Sequence, residues 1–249
     1  MFKGLTLDDF VGMTIPDLSY EQHLNAMKSI IWRGREGLAI VGTSLDEINA
    51  KGQERGLDDR EQDYRGELFY EHMFLASANS LVSSALMSSF LDRFLSALFK
   101  ALKEGHEADL RAKNPGHVRW TMTDGPWLPA KATVSRQGPA FGLAELSDAI
   151  GLTLPARFLV LYDALTTYRN NALHDSLEWD ADCVAEMSRR IVNRGWDPAW
   201  FYVTTVKHSG QDPVPSMYAL DDRFVDEMLA GIDDMLLAVG VFLKDLRFS

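Results

Sequence analysis

The sequence predicts an all-α fold, an up-and-down helical bundle with a long loop insertion and one short β-hairpin. Three observations lead there. Apolar residues recur at three- and four-residue steps through most of the 249-residue chain. Prolines and glycines gather between those stretches, above all from Gly105 to Gly142. No repeat of fixed period and no low-complexity tract is present, so solenoid architectures are unsupported. A hydrophobic content of 46% is ample for one buried core. The expected organisation is a single helical domain over residues 1–249. Residues 1–60 form an N-terminal helical extension, 65–104 and 143–195 the core, 105–142 the insertion and 220–247 a final core helix.

Each element has its own justification. Leu18 to about Gln53 reads as helix, with weak breaks expected at Gly34 and around Gly37 and Gly42, where the backbone penalty accumulates. Asp58 through Lys103 is the strongest long helix, apolar on most faces from Leu68 to Leu102, as suits an element surrounded by others. Within it, Met73 to Leu91 is nineteen residues without a charge, near the ~20 needed to span a bilayer. Six serines and Asn79 fall in that stretch. Ser77, Ser80, Ser84 and Ser88 recur at helical spacing, which is the pattern of close helix packing in a soluble bundle.

The insertion carries Pro115, Pro126, Pro129 and Pro139. It also places Arg111, Lys113, Arg119, Lys131 and Arg136 among Trp120 and Trp127. Basic residues interleaved with aromatics can bind phosphates and stack on bases, which makes Arg119, Trp120, Lys131 and Arg136 candidate substrate contacts. A covering flap whose tryptophans pack on the bundle is the competing expectation. Helix returns at Leu143 to Ile150, stops at Gly151 and resumes after Pro155, a residue suited to a first helical turn. A further helix is expected from Ala181 to Asn193. Phe201 to Val206 is β-branched and aromatic enough for a hairpin arm. Asp221 then caps a helix whose positions Phe224, Met228, Ile232, Met235, Val239, Phe242 and Leu246 keep core spacing.

A formal net charge of -11 argues against coating nucleic acid by bulk electrostatics and leaves room only for a local basic site. The single cysteine, Cys183, excludes an intrachain disulfide. The sequence from Met1 lacks the long apolar run of a secretory signal, so a cytoplasmic location is expected, with no membrane contact. Neither His-Glu-x-x-His, paired Glu-x-x-His nor CxxC occurs, and no phosphate-binding G-x-x-x-x-G-K loop or G-x-S-x-G elbow is found. No metal and no cofactor are expected. His23, His72, His106, His117 and His208 are scattered along the chain. A helix, Gly151-Leu152, helix arrangement between Leu143 and Leu165 is a poor DNA reader, because its second helix offers one basic residue among hydrophobics.

The chemistry gathers in Arg169-Asn170-Asn171-Ala172-Leu173-His174, at the end of an apolar helix. A guanidinium, a side-chain amide and an imidazole can bind a phosphodiester and move its protons without a metal. On a helical wheel, Phe158, Leu161, Tyr162, Leu165, Tyr168 and Ala172 form the core stripe, and Arg169 falls inside it. Burying a guanidinium there is costly unless a carboxylate such as Glu71 or Asp92, or a second subunit, compensates it. Asp163, Thr167, Asn170 and His174 share a polar stripe. Arg169 and His174 point roughly 140° apart on an ideal helix, a separation that a two-fold dimer closes across one shared cleft.

Arginine, a polar residue, three further residues and histidine, near the end of a helix in a helical bundle, resembles the signature of the HEPN superfamily. Arg169, Asn170 and His174 match it, and the resemblance covers roughly residues 65 to 195. It implies a HEPN-type bundle and metal-independent endoribonuclease chemistry at a homodimer interface, with RNA as substrate and an antitoxin as a further partner. In that chemistry His174 exchanges protons with the 2′-hydroxyl and the leaving oxygen, Arg169 stabilises the phosphoryl charge, and Asn170 holds the imidazole or a phosphate oxygen. One departure is Ser176, where several toxin members of the family carry a modifiable tyrosine. A non-catalytic bundle that dimerises and binds RNA, a nucleotide or a protein partner is the competing reading.

Overall fold

The computed structural model describes residues 20–113, 139–174, 179–206 and 214–247. Among them the protein is mostly helical, with six helices and one two-stranded sheet. Helix α1 (Tyr20–Arg55) and helix α2 (Asp59–Lys113) pack along each other as a hairpin. Helices α3 (Pro139–Ile150), α4 (Ala156–His174) and α5 (Ala181–Asn193) follow. After a 3-10 turn at Pro198–Trp200 come strands β1 (Phe201–Val206) and β2 (Val214–Leu220), then helix α6 (Asp222–Arg247).

Two boundaries differ from expectation. Helix α1 runs unbroken through Gly34, Gly37 and Gly42, because tertiary contacts support the weak points. Asn79 of α2 donates from Nδ2 to the Gly34 carbonyl at 2.7 Å, and the His72 ring lies against Gly42. Helix α2 continues to Lys113 and α3 starts at Pro139, so the expected insertion over 105–142 is trimmed at both ends. Arg111 and Lys113 thus lie on the last turn of a helix rather than in a loop.

Turn chemistry explains the ends of the elements. Gly56 takes a φ of 75° and its N–H bonds the Gly52 carbonyl, closing α1 in the left-handed conformation that glycine adopts freely. Asp58 and Glu61 then form a capping box: Asp58 Oδ1 accepts from the Glu61 N–H at 2.8 Å, and Glu61 Oε2 accepts from the Asp58 N–H at 3.2 Å. Lys51 and Arg55 of α1 also reach Glu61. The bond from Lys51, followed by the Asp58 N–H and Arg55, holds that carboxyl down at about 2. At the end of α3, Leu152 N–H bonds Ser147 and Gly151 N–H bonds Asp148, the paired closure expected of a glycine stop. Asp221 Oδ1 caps α6 by accepting from the Arg223 N–H at 2.8 Å.

The core lies where α4 crosses the inner half of α2 and packs on α6, beneath the hairpin. All six apolar positions expected on α4 are buried, and so are Phe224, Met228, Ile232, Met235 and Val239 of α6. Gly231 lets the two helices approach: a Cβ there would come 3.2 Å from Leu161. Strands β1 and β2 pair antiparallel from Phe201 opposite Leu220 to Val206 opposite Val214, with an irregularity at Thr204 and Thr205. Ser80 of α2 joins hairpin to bundle by accepting the Leu220 N–H at 2.9 Å. The expected small-residue stripe is real, since Ser77, Ser80, Ser84 and Ser88 are all buried. One stretch within Asp59–Phe99 is apolar enough by length and composition to cross a membrane, and half of it is buried inside the fold.

A candidate active site at the end of α4

Local sequence places the site. Phe158, Leu161, Tyr162, Leu165 and Tyr168 anchor α4 between α2 and α6, so its last turn emerges from the core with polar groups still attached. Asn171 fixes the neighbouring α5 by a contact from Nδ2 to Met187 Sδ at 3.8 Å. Asp163, lower on the polar stripe, receives Arg194 Nη1 on both carboxylate oxygens at 2.7 and 2.8 Å.

Arg169 is half-buried and Asn170 exposed. Arg169 Nη1 makes a long 3.5 Å contact to Asn170 Oδ1, so the two side chains lean together at the surface. The charge of Arg169 reaches two groups beneath it. One is Asp92 of α2, half-buried, whose carboxyl is pushed above the ordinary aspartate value by burial while Arg169 pulls the other way. The other is the fully buried Tyr162, whose phenol is raised by burial and by Asp92 and lowered by Arg169. The half-buried guanidinium therefore interacts electrostatically with Asp92. Glu71, the other carboxylate considered, is exposed on the outer half of α2.

His174 is the last residue of α4, and its side chain lies outside the described residues, as do Arg119, Trp120, Lys131 and Arg136. The structure thus brings Arg169 and Asn170 together and adds Asp92 and Tyr162 to the cluster. Sequence pattern marks Tyr162 only as a core residue, because a stripe shows that a side chain is buried and not which charges act on its hydroxyl end. The Asp163–Arg194 pair was likewise missed. Its signal was an arginine just past α5 and an acid on the polar stripe of α4, which only the packing of the two helices connects.

Cavities among the described residues also lie elsewhere. One of about 450 Å³ sits at the tip of the helical hairpin, beside Asn49, Gln53, Gln62 and Arg65. Another, about 150 Å³, lies between Arg35, Asn79, Tyr202 and Asp222. No group of acids, histidines and cysteine suited to a metal ion occurs among the described residues. Comparison with family models, curated proteins and solved structures finds no match to the chain.

Proposed function

We propose that the protein is a metal-independent endoribonuclease of toxin or defence type, with a HEPN-type bundle, acting at a site shared by two copies of the chain. The observation that carries this reading is the emergence of Arg169, still partly accessible, beside exposed Asn170, one turn before His174. A neutral His174 takes the proton of an RNA 2′-hydroxyl, and that oxygen attacks the adjacent phosphorus. The bond to the 5′ oxygen breaks, and a protonated imidazole from the second copy supplies its proton. The products are a 2′,3′-cyclic phosphate and a 5′-hydroxyl. Arg169 stabilises the phosphoryl oxygens as charge grows on them, and Asn170 orients the imidazole or a phosphate oxygen. A cytoplasmic location and an antitoxin partner belong to the same reading, as do substrate contacts from Arg119, Trp120, Lys131 and Arg136.

One observation favours a second reading. Asp92 and Tyr162 already engage the charge of Arg169, as they would if the arginine were structural and the bundle only bound RNA, a nucleotide or a protein. The two separate by incubating the purified protein with structured and single-stranded RNA in EDTA. The nuclease reading expects cyclic phosphate ends and a loss of about 10²-fold or more in His174→Ala, at unchanged helicity. RNA left intact, or cleaved equally by the variant, overturns it.

A further inference from the structure

The outer half of the α1–α2 hairpin leaves an apolar surface that the bundle does not cover. Between Trp32 and Phe74 only Ile48 and Leu68 are buried, whereas Trp32, Ile40, Tyr64, Phe69, Tyr70 and Phe74 remain 39% to 68% exposed. On α2 the rings of Phe69 and Tyr70 meet edge to face at 6.0 Å. Tyr70 and Phe74 share one helical face with Asp63 and Glu67, at four-, three- and four-residue steps. Asp59, Asp63, Glu67 and Glu71 also follow at intervals of four, all exposed and none in an ion pair among the described residues. Arg60 is the one basic residue on that side. Like charges four apart weaken a helix, so the row works against α2 in the free protein. Opposite charges on a bound segment would reverse that effect.

We propose that this face docks a basic amphipathic helix of a partner protein. The apolar side of that helix rests on Tyr70 and Phe74, and its lysines or arginines meet Asp63, Glu67 and Glu71, as in helix-in-groove recognition. The chain's own residues 114–138, net basic through Arg119, Lys131 and Arg136 against Asp124, become an outcome of the test. Tighter binding of the lysine peptide by Arg119→Glu/Lys131→Glu/Arg136→Glu would put that segment on the face and overturn the proposal. Charge decides against three other occupants. A two-fold contact with a second copy would set the same carboxylate row against itself. Residues 1–19 carry Lys3 against Asp8, Asp9 and Asp17, and are acidic too. An anionic membrane surface would be repelled.

The test titrates the full chain into a fluorescein-labelled 18-residue helix of leucine and lysine, and into its leucine and glutamate counterpart, with anisotropy as the readout. The lysine peptide should bind about tenfold or more tightly than the glutamate peptide. Tyr70→Ser/Phe74→Ser should weaken it by a similar factor, and Glu67→Lys/Glu71→Lys should reverse the preference, each at unchanged circular dichroism. Asp234→Lys/Asp245→Lys, on exposed positions of α6, should leave affinity unchanged. The proposal is overturned by equal binding of the two peptides, by a response to the α6 variant as large as to the α2 variant, or by indifference to the loss of both aromatic rings. Sedimentation showing a dimer that Glu67→Lys/Glu71→Lys strengthens would also overturn it, since the occupant would then be a second copy.

Discussion

From Ala76 to Phe99, α2 buries Met87, Phe90, Leu91, Phe94, Leu95, Leu98 and Phe99 along with four serines of its packing stripe; from Asp59 to Leu75 the same helix buries Leu68 alone. Composition differs too: the outer half carries seven acidic or basic residues in seventeen, the inner half two in twenty-four, yet the outer half also leaves Tyr64, Phe69, Tyr70 and Phe74 exposed. The neighbours differ as well. Ser80 of the inner half bonds Leu220 of β2, whereas in the outer half His72 lies beside Gly42 and Glu61 bonds Lys51 and Arg55, all of α1. Burial in this protein follows composition and tertiary partners together, and polar devices also hold the hairpin: Asn79 of the inner half on Gly34, the Glu61 cluster at the tip, and Arg35 at the root. Arg35 bonds Asp222 at 2.5 Å and Asp226 at 2.7 Å.

The comparison breaks most visibly by truncating one apolar residue from each half. Leu95, fully buried on α2, belongs to the inner half. Leu95→Ala should cost about 2–5 kcal/mol in urea unfolding. Phe74→Ala, on the outer half, should stay within about 0.5 kcal/mol. A large loss at Phe74 would mean that the outer face is covered in the free protein, and the distinction between the halves would fall.

Glycine substitutions sharpen the contrast within the hairpin itself. A Cβ at Gly34 would stand 2.7 Å from Asn79 Oδ1, displacing the amide that holds the two helices together. Gly34→Ala should therefore destabilise by about 1–2 kcal/mol, despite the better helix propensity of alanine. At Gly37 a Cβ meets nothing within 4 Å. Gly37→Ala should stabilise by up to about 1 kcal/mol, through propensity alone. Thermal melts of both variants check this, and equal signs would show that Asn79 is not the device assigned to it.

Those glycines also show where sequence reading stops. Core stripes of α4 and α6, the β1 arm, the glycine stop at Gly151 and the Asp221 cap were legible, because each depends on residues close together in the chain. Helix α1 was expected to weaken at Gly34 and Gly42 because the rescuing groups, Asn79 and His72, are far along the sequence. Extra turns of α2 beyond Gly105 had no periodic apolar signal to mark them. In the site, the misfit of Arg169 in an apolar stripe was plain, and Asp92 stood among its possible partners. The electrostatic coupling of Tyr162 to both could not be read, since it depends on how α2 and α4 cross.

The smallest expected effect lies at that crossing, in the pH dependence of Asp92. Its folded-state value is raised above the ordinary 3.8, first by burial and against the pull of Arg169. The folded protein therefore holds this proton where the unfolded chain has released it. Stability should fall as pH rises from about 3.8 through the folded-state value, and level off above it. Asp92→Asn should flatten that window in urea unfolding and change stability near neutrality by no more than about 1 kcal/mol, because relief of the buried charge is offset by loss of the group opposite Arg169. Arg169→Ala should do the reverse and steepen the fall. The double variant should then show coupling on the order of 1 kcal/mol. Additive single effects would leave the two charges independent. Arg169 would then owe its half-buried position to apolar packing of its stem, which returns the whole guanidinium to whatever binds at the end of α4.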